Sequence, residues 1–137
     1  MSQENVELVR LQYDRVNTDY KVEYEGEREL YDPDYEFDGR DIAPAMGVVR
    51  GYDAAWAALE EYWDMFEGFH VDLKEVIHAD AEHVVTAVRD GGRIKGSDAE
   101  VWNDLFHVWT FRDGKIVRLS SHNDRNRALE AAGLRDS

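Results

Sequence analysis

Apolar residues recur three and four apart in two stretches of the chain and two apart through much of the rest. Val6, Val9, Tyr13 and Val16 form one such helical face. Trp56, Leu59, Trp63 and Phe66 form the second, with Asp53 placed to cap its start. Residues 19–31 fit two periods: Tyr20, Val22 and Tyr24 alternate as in a strand, while Tyr20, Tyr24 and Tyr31 could share a helix face, and helix is preferred. Asp32-Pro33-Asp34 is turn chemistry before a short strand, Tyr35 to Asp38. A loop then runs through Ala43-Pro44 to Gly51. From Phe69 onward the period is two. Phe69, Val71 and Leu73 alternate, His83 to Arg89 form another strand, and Gly91-Gly92 with Gly96 mark a turn or bulge. Residues 99–111 and 115–124 flank Asp113-Gly114, a strong hairpin signal, and Asp124 is placed to cap a last helical turn that stops at Gly133.

Helices first and an antiparallel meander after them predict a single α+β domain over residues 1–137, with a curved mixed or antiparallel sheet wrapped round the N-terminal helices as a cone. If a two-residue turn sets the last hairpin, Phe111 pairs with Ile116, Trp109 with Arg118, His107 with Ser120, Leu105 with His122 and Asn103 with Asp124. All these side chains then share one face, apolar near the turn and polar at the far end. The opposite face carries Trp102, Phe106, Val108, Val117 and Leu119, too apolar to be left wet, which predicts a homodimer through the outer sheet face.

Composition narrows the functional classes. The chain has 30 acidic against 16 basic residues, a formal net charge of −14, so nucleic acid and membrane surfaces are poor partners. The absence of cysteine excludes disulfides, thiol nucleophiles and thiolate metal sites. The polar start MSQENVELVR holds no apolar run suited to a signal peptide or membrane span, so a cytoplasmic protein is expected. No glycine-rich loop precedes a helix in the manner of a phosphate cradle.

A pocket mouth of imidazole, carboxylate, amide and hydroxyl above an aromatic floor suits an apolar small molecule. His107, His122 and Asp124 are the candidate catalytic groups, and Asn103, Ser120 and Trp109 candidate binding groups, with Tyr13 and Trp63 as further lining aromatics. Enolisation, ring closure, epoxide opening and dehydration each need a base, a donor to developing oxygen charge and a dry pocket, which His and Asp supply without a cofactor. Two alternatives use the same residues: a two-histidine, one-carboxylate metal site at His107, His122 and Asp124, which the strand spacing disfavours, and a cone that binds without turnover. Asp124 is in addition the natural cap of the last helix.

Trp109-Thr-Phe-Arg-Asp-Gly-Lys-Ile-Val-Arg118, Asp124-Arg125 followed by Ala128-Leu-Glu-Ala-Ala-Gly-Leu134, and Gly47-Val-Val-Arg-Gly51 before a helix resemble the SnoaL-like polyketide cyclase family of the nuclear transport factor 2-like superfamily. The resemblance implies the cone fold, with isomerases, cyclases, dehydratases, hydrolases and pure binders among its relatives. It implies for His107 the place of the isomerases' oxyanion-binding acid, for Asp124 the cyclases' acid/base, and for Asp38, closing the first strand, the isomerases' general base. The resulting expectation is an acid-base enzyme, of isomerase, cyclase, dehydratase or epoxide-hydrolase type, acting on apolar substrates up to polycyclic size. In it Asp124, tuned by His122, moves the proton while His107 donates to the charged oxygen.

Overall fold

The computed structural model describes residues 2–134. The chain runs α1 (Ser2–Asp19), β1 (Tyr31–Asp38), β2 (Val48–Arg50), α2 (Tyr52–Trp63), β3 (Phe66–Ala79), β4 (His83–Ile94), β5 (Glu100–Arg112), β6 (Lys115–His122) and α3 (Arg125–Ala131). One curved, unclosed sheet has the order β2-β1-β6-β5-β4-β3, antiparallel except where β1 lies parallel to β6. Helices α1 and α2 fill its concave side, and the main core of Val9, Phe37, Leu59, Trp63, Val88, Leu105 and Ile116 lies between. The side chain of Asn17 fixes α1 on the sheet, donating to the Val71 carbonyl at 2.7 Å and accepting from the Val71 N–H at 2.8 Å. No helix among the described residues is long and apolar enough to cross a membrane.

The last hairpin turns at Asp113-Gly114 as expected, both residues at positive φ (52° and 77°), as a two-residue turn matched to sheet twist requires. Its register then departs from the even pairing. Phe111 pairs with Ile116, but Thr110 pairs with Arg118, so Val117 is an extra, bulged residue. Beyond it Trp109 faces Leu119, Val108 faces Ser120, His107 faces Ser121 rather than Ser120, and Phe106 faces His122. The reason is hydrophobic demand. Ile116 (0% exposed) and Leu119 (7%) both belong to the concave core, yet three residues apart they would fall on opposite faces of a regular strand. The bulge turns both inward and turns Arg118, Ser120 and His122 out.

The same shift corrects the dimer argument. Leu119 leaves the convex face, and α3 covers Val108 in a second small core of Val85, Ala128 and Ala132, with Phe106 at its edge. Trp102, 36% exposed, and the half-buried Val117 remain of the expected patch.

Residues 20–27 are not helical, and only a 3₁₀ turn at Arg28–Leu30 precedes β1. Arg15 holds this segment from outside, donating to the Val22 carbonyl at 2.7 Å and pairing with Glu27 at 2.5 Å. Tertiary contacts thus override a marginal helical period. Asp53 is not the cap of α2: Gly51 stands at that position, and Asp53 pairs with Arg28 at 2.6 Å. Phe66 opens β3 instead of closing α2. Strand β1 already starts at Tyr31 and carries Pro33 through an irregularity between Tyr31 and Glu36. Gly91 and Gly92 lie within β4, where a Cβ on Gly91 would run into the Val101 carbonyl.

Candidate active site

Between the concave face and the two helices lies a cavity of about 60 Å³. One water needs roughly 10–15 Å³, so the space is more than a single water's and can admit a small organic group. The wall is mainly aromatic, with Tyr13, Trp56, Tyr62, Trp63, Phe69 and Trp109 among its members. Two titratable groups of other kinds interrupt it, His107 and Asp90.

His107 is held by a closed hydrogen-bond set. The Tyr13 hydroxyl lies 2.8 Å from His107 Nδ1 and 2.8 Å from Thr86 Oγ1, and Trp109 Nε1–H donates to it at 3.0 Å. Counting donors fixes the directions. Tyr13 donating to Nδ1 leaves its oxygen free to accept from both Trp109 and the fully buried Thr86 hydroxyl, so every hydrogen has an acceptor. The reverse arrangement would leave the Thr86 hydrogen without one in this set. His107 is therefore the Nε2–H tautomer, a hydrogen-bond donor at its second nitrogen. Burial, with His122 nearby as a smaller influence, lowers its pKa to about 3, which keeps the ring neutral. Ring ¹⁵N shifts should show an unprotonated Nδ1 and a protonated Nε2 throughout pH 5–8. Tyr13→Phe should mix the two tautomers and cost about 2 kcal/mol, because several buried groups lose their shared partner. An imidazolium at pH 6 in the wild type would refute this assignment.

Asp90 was absent from the sequence-based candidates. It pairs with Asn103 across β4 and β5 and with Val71 on β3, which puts it on the same face as Thr86 and His107, four residues or about 13 Å along the strand from Thr86. It is 5% exposed, and Oδ1 accepts from the Tyr62 hydroxyl at 3.2 Å; Asn103 Nδ2 in turn donates to that hydroxyl at 3.3 Å. Desolvation raises its pKa to about 6, the hydrogen bonds from Asn103 and Tyr62 opposing this only in part. A signal existed in the alternation Val84, Thr86, Val88, Asp90, which continues one step beyond the expected end of the strand.

Of the sequence-based candidates, His107, Tyr13, Trp63 and Trp109 line the cavity, and Asn103 supports it through Tyr62. The others lie apart. Asp38 sits on the convex side, bound by Arg40 at 2.7 Å and Arg118 at 3.0 Å, and these cations hold its carboxyl below the usual range, which suits an ion pair better than a base. Asp124 is exposed and caps α3, accepting from the Arg127 N–H at 3.1 Å. His122 Nε2 lies 2.9 Å from Ser120 Oγ, with Asp41 3.6 Å from Nδ1. That line has the order of a hydrolytic triad, but Ser120 is 0% exposed and offers a substrate no approach. Ser121 takes the place across from His107 expected of Ser120, its hydroxyl buried without a hydrogen-bond partner among the described residues. With His107 on the concave face and His122 and Asp124 outside it, these three do not converge on a metal. Among the described residues no other group of three such ligands does.

The arrangement matches known proteins at the level of fold. A ketosteroid isomerase-like protein from Catenulispora acidiphila, solved with trimethylamine, superposes with a TM-score of 0.69 at 18% identity over 93% of both chains. TerC, crystallised with polyporic acid, gives 0.70 at 21% identity over 93% of this chain and 96% of the other. A protein from Jannaschia sp. CCS1 bearing a SnoaL-like polyketide cyclase name gives 0.71 at 20% identity over 96% and 90%. No curated protein matches the chain significantly. The model of the SnoaL-like domain matches residues 9–119, and with most of its length so covered, the chain belongs to the SnoaL-like domain family.

Proposed function

We propose that this protein is a small-molecule enzyme that moves a proton without a cofactor, with Asp90 as the base and His107 as the donor to oxygen. The observation that carries the reading is the pair itself. One aromatic cavity raises a carboxylate to about 6 and lowers an imidazole to about 3, so near neutral pH each is poised for one task. Asp90 can take a proton from carbon next to a carbonyl. The electron pair moves to the carbonyl oxygen, where the Nε2–H of His107 stabilises the charge, and Asp90 returns the proton to the same or a neighbouring carbon. The ligands of the two similar structures, trimethylamine and polyporic acid, support a small-molecule cavity in this fold.

The test uses a panel of small cyclic and branched ketones and enones, ranked by thermal stabilisation and then incubated with the protein in D₂O. Deuterium entering the carbon next to the carbonyl, in excess of the buffer rate, is the expected result. Panel members that bind tightly yet never exchange would favour the second reading, a carrier that uses the cavity without turnover.

A further inference from the structure

Asp90 is the only formally charged residue on the cavity wall among those described, since the buried His107 stays neutral. Around it the wall is built of rings in mutual contact. Tyr62 meets Phe69 at 5.8 Å, Phe69 meets Trp63 at 5.9 Å, and Trp63 meets Trp56 edge-on at 5.2 Å. Tyr62 also bonds the carboxylate directly. Ring faces carry partial negative charge, so rings that turn a face to the cavity add to the field of the one buried carboxylate. The complement of such a surface is a weakly hydrated cation with an apolar skin. Ammonium or sodium ions would lose a tight hydration shell for few acceptor oxygens in return, whereas methylated ammonium loses little. Anionic substrates meet both Asp90 and the net charge of −14, which draws cations toward the protein. A compact methylated ammonium head is in keeping with a cavity of about 60 Å³.

We propose that the cavity binds small alkylammonium ions, seating the cationic head against Asp90 among Trp56, Tyr62, Trp63 and Phe69. The proposal rests on the functional reading above only in sharing its cavity. Because the cation covers the base, it competes with any substrate that Asp90 deprotonates.

The experiment compares tetramethylammonium chloride with tert-butanol, a neutral molecule of nearly the same shape, at constant chloride made up with sodium. Binding is followed by calorimetry and thermal shift. The expected result is saturable stabilisation by tetramethylammonium and at least tenfold weaker binding of tert-butanol, with the preference lost in Asp90→Asn and weakened severalfold in Trp63→Phe. Equal binding of the two compounds, equal tetramethylammonium binding by Asp90→Asn, or no saturable binding to the wild type would each overturn the proposal. The acid-base reading can fail separately. Tetramethylammonium binding without deuterium exchange in any ketone leaves the cation site standing, while exchange that tetramethylammonium does not inhibit removes it.

Discussion

Asp90→Asn is expected to lose most turnover and to gain stability relative to the wild type as pH rises through about 6. Removing a positioned base typically costs 10²- to 10⁴-fold, so exchange on the best ketone should drop by about that factor. The stability gain follows from linkage. Desolvation raises the folded-state pKa of Asp90 to about 6, so the folded chain holds this proton more tightly than the unfolded one. The advantage is fully present below about pH 4 and is lost as pH rises through about 6, a change of about 3 kcal/mol in all. Asparagine carries no such burden. His107, with its pKa depressed, acts in the opposite sense and loses stability as pH falls below its unfolded value, so wild-type curves alone mix the two. The difference between wild type and Asp90→Asn isolates the carboxylate. Urea titrations of both proteins at pH 4 and pH 8 should show that difference shifting by about 3 kcal/mol in favour of the variant. A shift near zero would mean that Asp90 is solvated, and the proposed base would lose its support.

Arg15→Ala is expected to be the most destabilising substitution outside the cavity, at about 3–5 kcal/mol. The Arg15 and Glu27 side chains are both 5% exposed and 2.5 Å apart, and the guanidinium lies 3.8 Å from the centre of the Trp56 ring and bonds the Val22 carbonyl. Alanine would leave Glu27 buried without its partner, although burial already pushes its carboxyl toward the neutral form. It would also free residues 20–27 from α1 and loosen a wall of the cavity, since Trp56 lines it. A double variant, Arg15→Met with Glu27→Gln, should recover much of the loss, because neither charge then remains buried. Denaturation of Arg15→Met, Glu27→Gln and the double variant completes the cycle. A loss below about 1 kcal/mol for Arg15→Ala would show that the segment is held by something else.

The parts of the fold written in local chemistry could be read from the sequence. The spacing Val6, Val9, Tyr13, Val16 gave α1, Asp113-Gly114 gave the hairpin, and Asp124 gave the cap of α3. His107, Tyr13, Trp63 and Trp109 reach the cavity for the same reason, because each sits on the apolar face of an element with a clear period. Asp90 was hidden because no tight turn ties β4 to β5. The chain passes through residues 95–99, a length that sets no register, so nothing local said which residue faces Asn103. Residues 20–27 were misread because their conformation is decided by Arg15, on a different element. The polar cluster at Ser120, His122 and Asp124 came from assuming an unbroken strand, although Arg118 facing Trp109 on a buried face was already a warning.

The extra residue at Val117 bears on how such sites change over evolutionary time. Beyond the bulge, β6 turns Leu119 and Ser121 to the concave face, where a strand without it would turn Arg118, Ser120 and His122 instead. A lineage that slides this strand by one residue exchanges the whole polar lining without altering a single codon for a lining residue. Two relatives can therefore share an aligned column and yet present it to opposite sides of the sheet. Functional inheritance along β6 follows the position of the bulge, and alignments of this family should be anchored there before any catalytic residue is transferred between members.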